Sequence, residues 1–218
     1  KDTARHYLAE AERVLPDSEY KRYLLKFMRT IMDVRVVYYQ DNSERDSLMT
    51  QVLLRLKNNQ QASRLEKAAD YYLMGAATTS RAEIDYETKA DDVIKYFDLT
   101  LQQTEGLPIR TAMLFRPNCF FQICGNAFSD SVRVRYGLRY LAMLQEYQAY
   151  LKTRKRKFTN QRHFLNAYSM LACSSETLGR AQADAYFRRF VELNRRYPED
   201  ANFTPTYEYL FTAFRYYS

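Results

Sequence analysis

Tryptophan is absent from the 218 residues, and glycine and proline number only five each, cysteine three and histidine two. Each scarcity excludes something. Little Gly and Pro beside 46% hydrophobic residues excludes a disordered or collagen-like chain, because a folded chain of this length buries on the order of 70% of its unfolded surface. One large or two small domains fit the length. An odd number of cysteines leaves at least one thiol unpaired, so no disulfide framework is implied. Cys119 and Cys124 stand five apart in a helical pattern, which puts them on different faces, and His6 and His163 lie far away in sequence. No metal site is predicted from that set. No apolar run approaches the roughly 18 residues of a bilayer crossing, the longest being about 71–77 and containing Gly75. The glycine-rich phosphate loop, G-x-S-x-G, H-E-x-x-H and the D-x-D-x-D-G calcium loop are all missing, so neither a cofactor nor an enzymatic reaction is predicted.

What is present is helical periodicity. Residues 20–40 carry Leu24, Phe27, Met28, Ile31, Met32, Val34 and Val37 at i, i+3, i+4 spacing, which predicts one long helix opened by Asp17 or Ser18 after Pro16. A second begins near Ser43 and ends before the polar Lys57-Asn58-Asn59. Ser80-Arg81-Ala82-Glu83 has the S-x-x-E form of a capping box and predicts a helix start continuing to about Thr104. Asp130-Ser131 precedes a run to Lys152, and Ser174 to Thr177 precede a run over 178–196. Pro117 lies inside 109–128, where it is expected to kink or split the helix. The turn clusters near 42, 79, 130 and 175 predict an all-α chain of successive antiparallel hairpins, about nine to ten helices in a single domain over 1–218. Residues 72–80 align with 168–176 at Tyr, Met and Ala, which supports the repetition.

Ala4, Leu8, Ala11 and Pro16 stand at spacings that resemble the second helix and closing proline of a tetratricopeptide repeat, and Tyr186, Phe190, Leu193 and Pro198 repeat them with Ala185 one residue early. The family's first-helix Trp, Leu-Gly and Tyr signature is missing. The motif-level likeness covers about 30 residues, and the implied architecture is a tetratricopeptide-like right-handed superhelix. Long Tyr-rich hairpins also resemble the helical-repeat sensor regions that precede the membrane helix of histidine kinases in Bacteroidetes. That likeness implies a two-component sensor, periplasmic rather than cytoplasmic, continuing beyond Ser218. The opening Lys1-Asp2-Thr3, without an initiator Met or a signal-peptide run, reads as part of a longer chain.

Stacked hairpins leave a concave face able to hold a peptide, a protein segment or a small ligand, and such a unit can also pair as a homodimer. With Tyr72 facing the core, the neighbouring stripe is Arg64, Lys67, Tyr71 and Met74. The internal alignment carries it to His163, Ala167 and Met170, and in the middle to Phe115, Cys119 and Gln122, with Asn126 one turn later. Arg64, Lys67, Tyr71, Gln122, Asn126 and His163 are thus the candidate ligand or partner positions. Twenty Tyr residues suit helix pairs buried on one side and lining a groove on the other. Lys152, Arg154, Lys155, Arg156 and Lys157 form a basic tract that could meet an anionic partner, or remain solvated where a helix ends and its dipole favours cations. The aromatics are not interleaved with the tract, so dedicated nucleic-acid binding is not predicted. Glu83, Asp85, Glu87, Asp91 and Asp92 form an acidic run that complements the dipole at a helix start.

Overall fold

A computed structural model describes residues 2–39, 42–58, 61–81, 86–127, 129–196 and Tyr216. Among them the chain forms α1 (Asp2–Val14), α2 (Glu19–Tyr39), α3 (Asn42–Asn58), α4 (Arg64–Arg81), α5 (Tyr86–Gln103), α6 (Ile109–Asn126), α7 (Asp130–Thr153), α8 (Arg162–Ala172), α9 (Ser175–Leu178) and α10 (Arg180–Arg196), with no strand. The protein is all-α. No helix among the described residues is long and apolar enough to cross a membrane. The chain divides into two compact units, 1–122 and 123–218, with the division inside α6. The first unit carries 18 Lys and Arg against 18 Asp and Glu, a net of 0, and the second 15 against 8, a net of +7. All of the chain's excess charge therefore sits in the second unit.

In the first unit the helix starts follow from local chemistry. Ser18 accepts the backbone N–H of Lys21 at 3.1 Å and opens α2, as the sequence predicts. α4 opens on a reciprocal capping box: Ser63 N–H donates to Glu66 Oε2 at 2.8 Å while Glu66 N–H reaches Ser63 Oγ at 3.3 Å. The Ser63 hydroxyl, which donates to Glu66 Oε2 at 2.7 Å, and then the Ser63 N–H hold the Glu66 carboxyl below the usual carboxylate range. Ser80, by contrast, lies within α4, which runs on to Arg81, and the next helix begins at Tyr86. The capping box expected there is not a helix start, and its Glu83, like Asp85, falls outside the described residues. Ala76 and Ala77 before it are the best of helix formers, and the cost of Gly75 is offset by the packing of the Phe97 ring on it, so nothing stops α4 there.

α4 packs against α2, α3 and α5. It can do so because Ala68, Ala69, Gly75, Ala76 and Ala77 are small and buried. At Gly75 a Cβ would stand 2.9 Å from Phe97 Cζ, so the ring lies directly on the α4 backbone. Phe97 meets Tyr72 edge to face with centroids 5.6 Å apart; Tyr72 meets Phe115 in the same way at 5.6 Å, and Phe115 meets Phe27 at 5.0 Å. Each such pair adds about 1 kcal/mol beyond area burial. Asn118 donates to the Tyr72 hydroxyl, so the ring is buried with its polar end satisfied. Met49, Val52, Leu73, Met74 and Ala77 form an adjoining core cluster.

α6 runs unbroken through Pro117, which corrects the expected split. The missing N–H leaves one carbonyl of the preceding turn without its usual partner, but Phe115, Cys119, Phe120 and Ile123 around it are buried and hold the helix together. Cys119 and Cys124, expected on different faces, are both buried and free. Burial pushes the Cys119 thiol well up and the Cys124 thiol up to about 12, which makes both poor nucleophiles.

In the second unit α8 packs against α7 and α10. Gly137 on α7 permits the approach, since a Cβ there would stand 3.0 Å from Leu171 Cδ2. Leu165, Ala172, Ala183, Phe187, Phe190 and Tyr216 form the core. The run expected over 178–196 is interrupted: Gly179, at φ +78°, separates the one-turn α9 from α10. The aligned nonapeptides also part company here, because α8 ends at Ala172 whereas α4 continues past the matching Ala76 to Arg81. Of the tetratricopeptide-like positions, Leu8 and Phe190 are buried, Ala11, Tyr186 and Leu193 half-buried and Ala185 exposed; Pro16 follows the end of α1, and Pro198 lies outside the described residues.

Candidate functional site

The densest set of polar side chains in the first unit surrounds the start of α4. A buried carboxylate needs a partner, and Asp70 has one: Arg55 on α3 donates Nη2 to its Oδ1 at 2.7 Å and Nε to its Oδ2 at 3.2 Å. Asp70 is 6% exposed, so this planar fork is its replacement for water. Beside the pair lies a cavity of about 50 Å³ lined by Lys26, Arg55, Leu56, Ala62, Glu66, Lys67 and Asp70. That volume admits a water or two and no metabolite. Asp33 on α2 completes the charge set, its carboxyl raised chiefly by burial and then lowered by Lys26 and Arg55. Arg55 is raised in turn by its bond to Asp70.

The predicted stripe meets this set at one point. Lys67 lines the cavity and is half-buried, as is Tyr71; Arg64 is exposed and donates Nη2 to the Gln102 carbonyl at 2.8 Å, at the negative end of α5. Met74 is in the core, and so are Phe115, Cys119 and Ala167, positions the alignment equated with the stripe. The reason is the central place of α4: packed against α2, α3 and α5, it is buried on most of its circumference from Ala68 to Ala77, with exposed or half-buried residues before that stretch and at Thr78 and Thr79 after it. Gln122 is half-buried near the end of the first unit, and Asn126 is half-buried at the end of α6 in the second. Arg55, Asp70, Lys26 and Asp33 were not singled out from the sequence. A charged Asp70 between Ala69 and Tyr71, in the otherwise apolar stretch from Ala68 to Ala77, was the available signal.

His163 lies in the second unit, half-buried at the start of α8. Its Nδ1 is 2.8 Å from the Tyr140 hydroxyl and its Nε2 3.1 Å from Asn160 Nδ2. Burial, and then the neighbouring Arg162, depress its pKa to about 4, while burial raises that of Tyr140. Near neutrality the ring is uncharged and bonded at both nitrogens. An amide donor at Nε2 assigns the ring proton to Nδ1, facing Tyr140.

The basic tract closes α7. Lys155 takes φ +53°, its N–H bonds the Lys152 carbonyl at 3.0 Å and the Arg156 N–H bonds the Leu151 carbonyl at 2.9 Å. This is a Schellman motif with lysine where glycine is usual. Lys152, Arg154, Lys155, Arg156 and Lys157 are all exposed. Phe158 turns inward, 5.8 Å from the Tyr147 ring and 5.3 Å from that of Phe164. From there stacked rings continue through Tyr168 to Tyr186, at 6.2 and 6.3 Å. Arg133 is paired with Asp130 at 3.1 Å, and Arg135 and Arg139 lie over the Tyr136 ring, so none of the three joins the tract. Among the described residues no group of His, Cys, Asp and Glu could hold a metal ion. No known protein family, characterised protein or solved structure matches this chain.

Proposed function

We propose that the chain is a non-catalytic binding module, a stack of helical hairpins in a tetratricopeptide-like superhelix that captures a ligand or a protein segment, as the sensor region of a two-component receptor would. The observation that carries this reading is the placement of Lys67 and Tyr71, half-buried near the start of α4, beside the fixed Arg55–Asp70 fork. Side chains held on a rigid frame lose little freedom on capture, which favours binding. Arg64, Lys67, Tyr71 and Gln122 are the capture residues of the first unit under this reading, and Asn126 that of the second. His163 is assigned to packing, because both its nitrogens are engaged.

The test combines one variant with one screen. Replacing Lys67, Tyr71, Gln122 and Asn126 with Ala is expected to leave helicity unchanged while abolishing the saturable thermal shift that the native chain shows with a metabolite or peptide pool. Turnover of a pool component would instead make the chain an enzyme. A concentration-dependent mass without any ligand response would make it an oligomerisation unit.

A further inference from the structure

We propose that the tip joining α7 to α8 is an electrostatic docking point for an anionic phospholipid surface. The proposal is independent of the capture surface on α4. Between Glu146 and Glu176 there is no acidic residue, while Lys152, Arg154, Lys155, Arg156, Lys157 and Arg162 all fall in this interval and all are exposed. Among the described residues no carboxylate pairs with any of the five cations from Lys152 to Lys157. Arg154 rests on the Tyr150 ring, 4.3 Å from its centroid, which leaves its charge facing outward. The cations belong to the unit that carries the whole net charge of the chain.

The tip is fixed from both sides. The Schellman bonds set the backbone at Lys155 and Arg156, Phe158 is seated between Tyr147 and Phe164, and Gln161 Nε2 holds the Phe158 carbonyl at 2.8 Å. A tip already ordered presents its charges without a further loss of chain entropy.

Its chemistry selects among polyanions. Single-stranded nucleic acid requires open ring faces for base stacking, but Tyr147, Phe158 and Phe164 pack edge to face on one another, and Phe158 and Phe164 are half-buried and buried. Consecutive cations around a tight turn diverge, so an extended acidic peptide, lying along a line, meets them one at a time. A flat sheet of headgroups meets several together. None of the strongly exposed large apolar side chains lies in 147–162, so no wedge enters the hydrocarbon and attachment is purely coulombic. Each Lys or Arg near such a surface contributes roughly fivefold in affinity.

The test is co-sedimentation of the 218-residue chain with phosphatidylcholine vesicles, with and without phosphatidylglycerol. Binding is expected only with phosphatidylglycerol. It should vanish between about 0.1 and 1 M salt, where the screening length falls from about 10 to about 3 Å. Replacing Lys152, Lys155, Arg156 and Lys157 with Gln, with helicity checked by circular dichroism, should weaken binding on the order of 500-fold. A control removing the same charge elsewhere in the second unit, at Arg135, Arg139, Arg188 and Arg195, should weaken it less than about tenfold; it also serves if the tip variant fails to fold, since strong loss in the control places the contact elsewhere. Absence of vesicle binding, equal loss in both variants, or tighter binding to duplex DNA or to polyglutamate than to the vesicles would each overturn the proposal.

Discussion

The two units differ in how far their buried polarity is ionic. The first has no net charge and brings ionised groups inside, Asp70 against Arg55 with Asp33 and Lys26 beside them. The second carries all +7 of the net charge and mixes the two devices: Arg133 and Asp130 form a largely buried ion pair within one turn, but Tyr140 and His163 satisfy each other as neutral groups, a ladder of rings joins the tip to α10, and the cations of the basic tract stay outside. A buried ion must have a counter-ion fixed in geometry, whereas a neutral pair needs only its hydrogen bonds. Pairing removes equal numbers of both signs, so the difference in net charge lies in composition, and in the second unit the exposed basic tract displays part of the excess.

The sharpest test of this contrast is removal of one carboxylate at a time from the first unit. Asp70→Asn strands the half-exposed Arg55 guanidinium and is expected to cost about 2 kcal/mol, less than a fully buried pair because water reaches Arg55 and Asp33 is available as a substitute partner. Asp33→Asn removes a carboxylate that burial already disfavours, so it should be close to neutral. Chemical denaturation of the two variants checks the difference; equal losses would mean that the cluster has no single master pair. A smaller effect, and of opposite sign, belongs to the second unit. Lys155→Gly relieves a side chain held at φ +53° and should stabilise by about 0.5–1 kcal/mol. Any destabilisation there would show that the lysine makes an interaction worth more than its backbone strain.

The helical character and most helix bounds were legible because apolar spacing and Ser18 act locally. The S-x-x-E pattern occurs at Ser63 as well as at Ser80, and only the first caps a helix. What separates them is the chain that follows and precedes: Gly75, Ala76 and Ala77 let α4 pass through the second. Pro117 was misleading for a related reason, since burial on both sides of it outweighs one lost hydrogen bond. The stripe on α4 failed at Met74 because a helix touched by three others has no free face over its middle turns, and the small residues there were the sign of that. The basic tract was legible as a run of charge, but the seating of Phe158 and the pairing of His163 with Tyr140 depend on residues 11 and 23 positions away. No local pattern encodes such contacts.

The account rests most directly on His163, whose neutral, doubly bonded ring ties α7, α8 and the tip together. Its folded pKa, about 4, lies below the value near 6.5 of a free imidazole. As pH falls the unfolded chain takes up the proton first, so this stabilisation is complete above about pH 6.5 and is lost progressively down to about pH 4, roughly 3 kcal/mol in all. Following the His163 Cε1 resonance by NMR through an acid titration of the folded protein measures this without any variant. A midpoint near 4, with the ring neutral at pH 6, is the predicted result. A midpoint near 6.5 would show the ring open to water and the Tyr140 bond unmade, and would contradict the neutral pairing of α7 with α8.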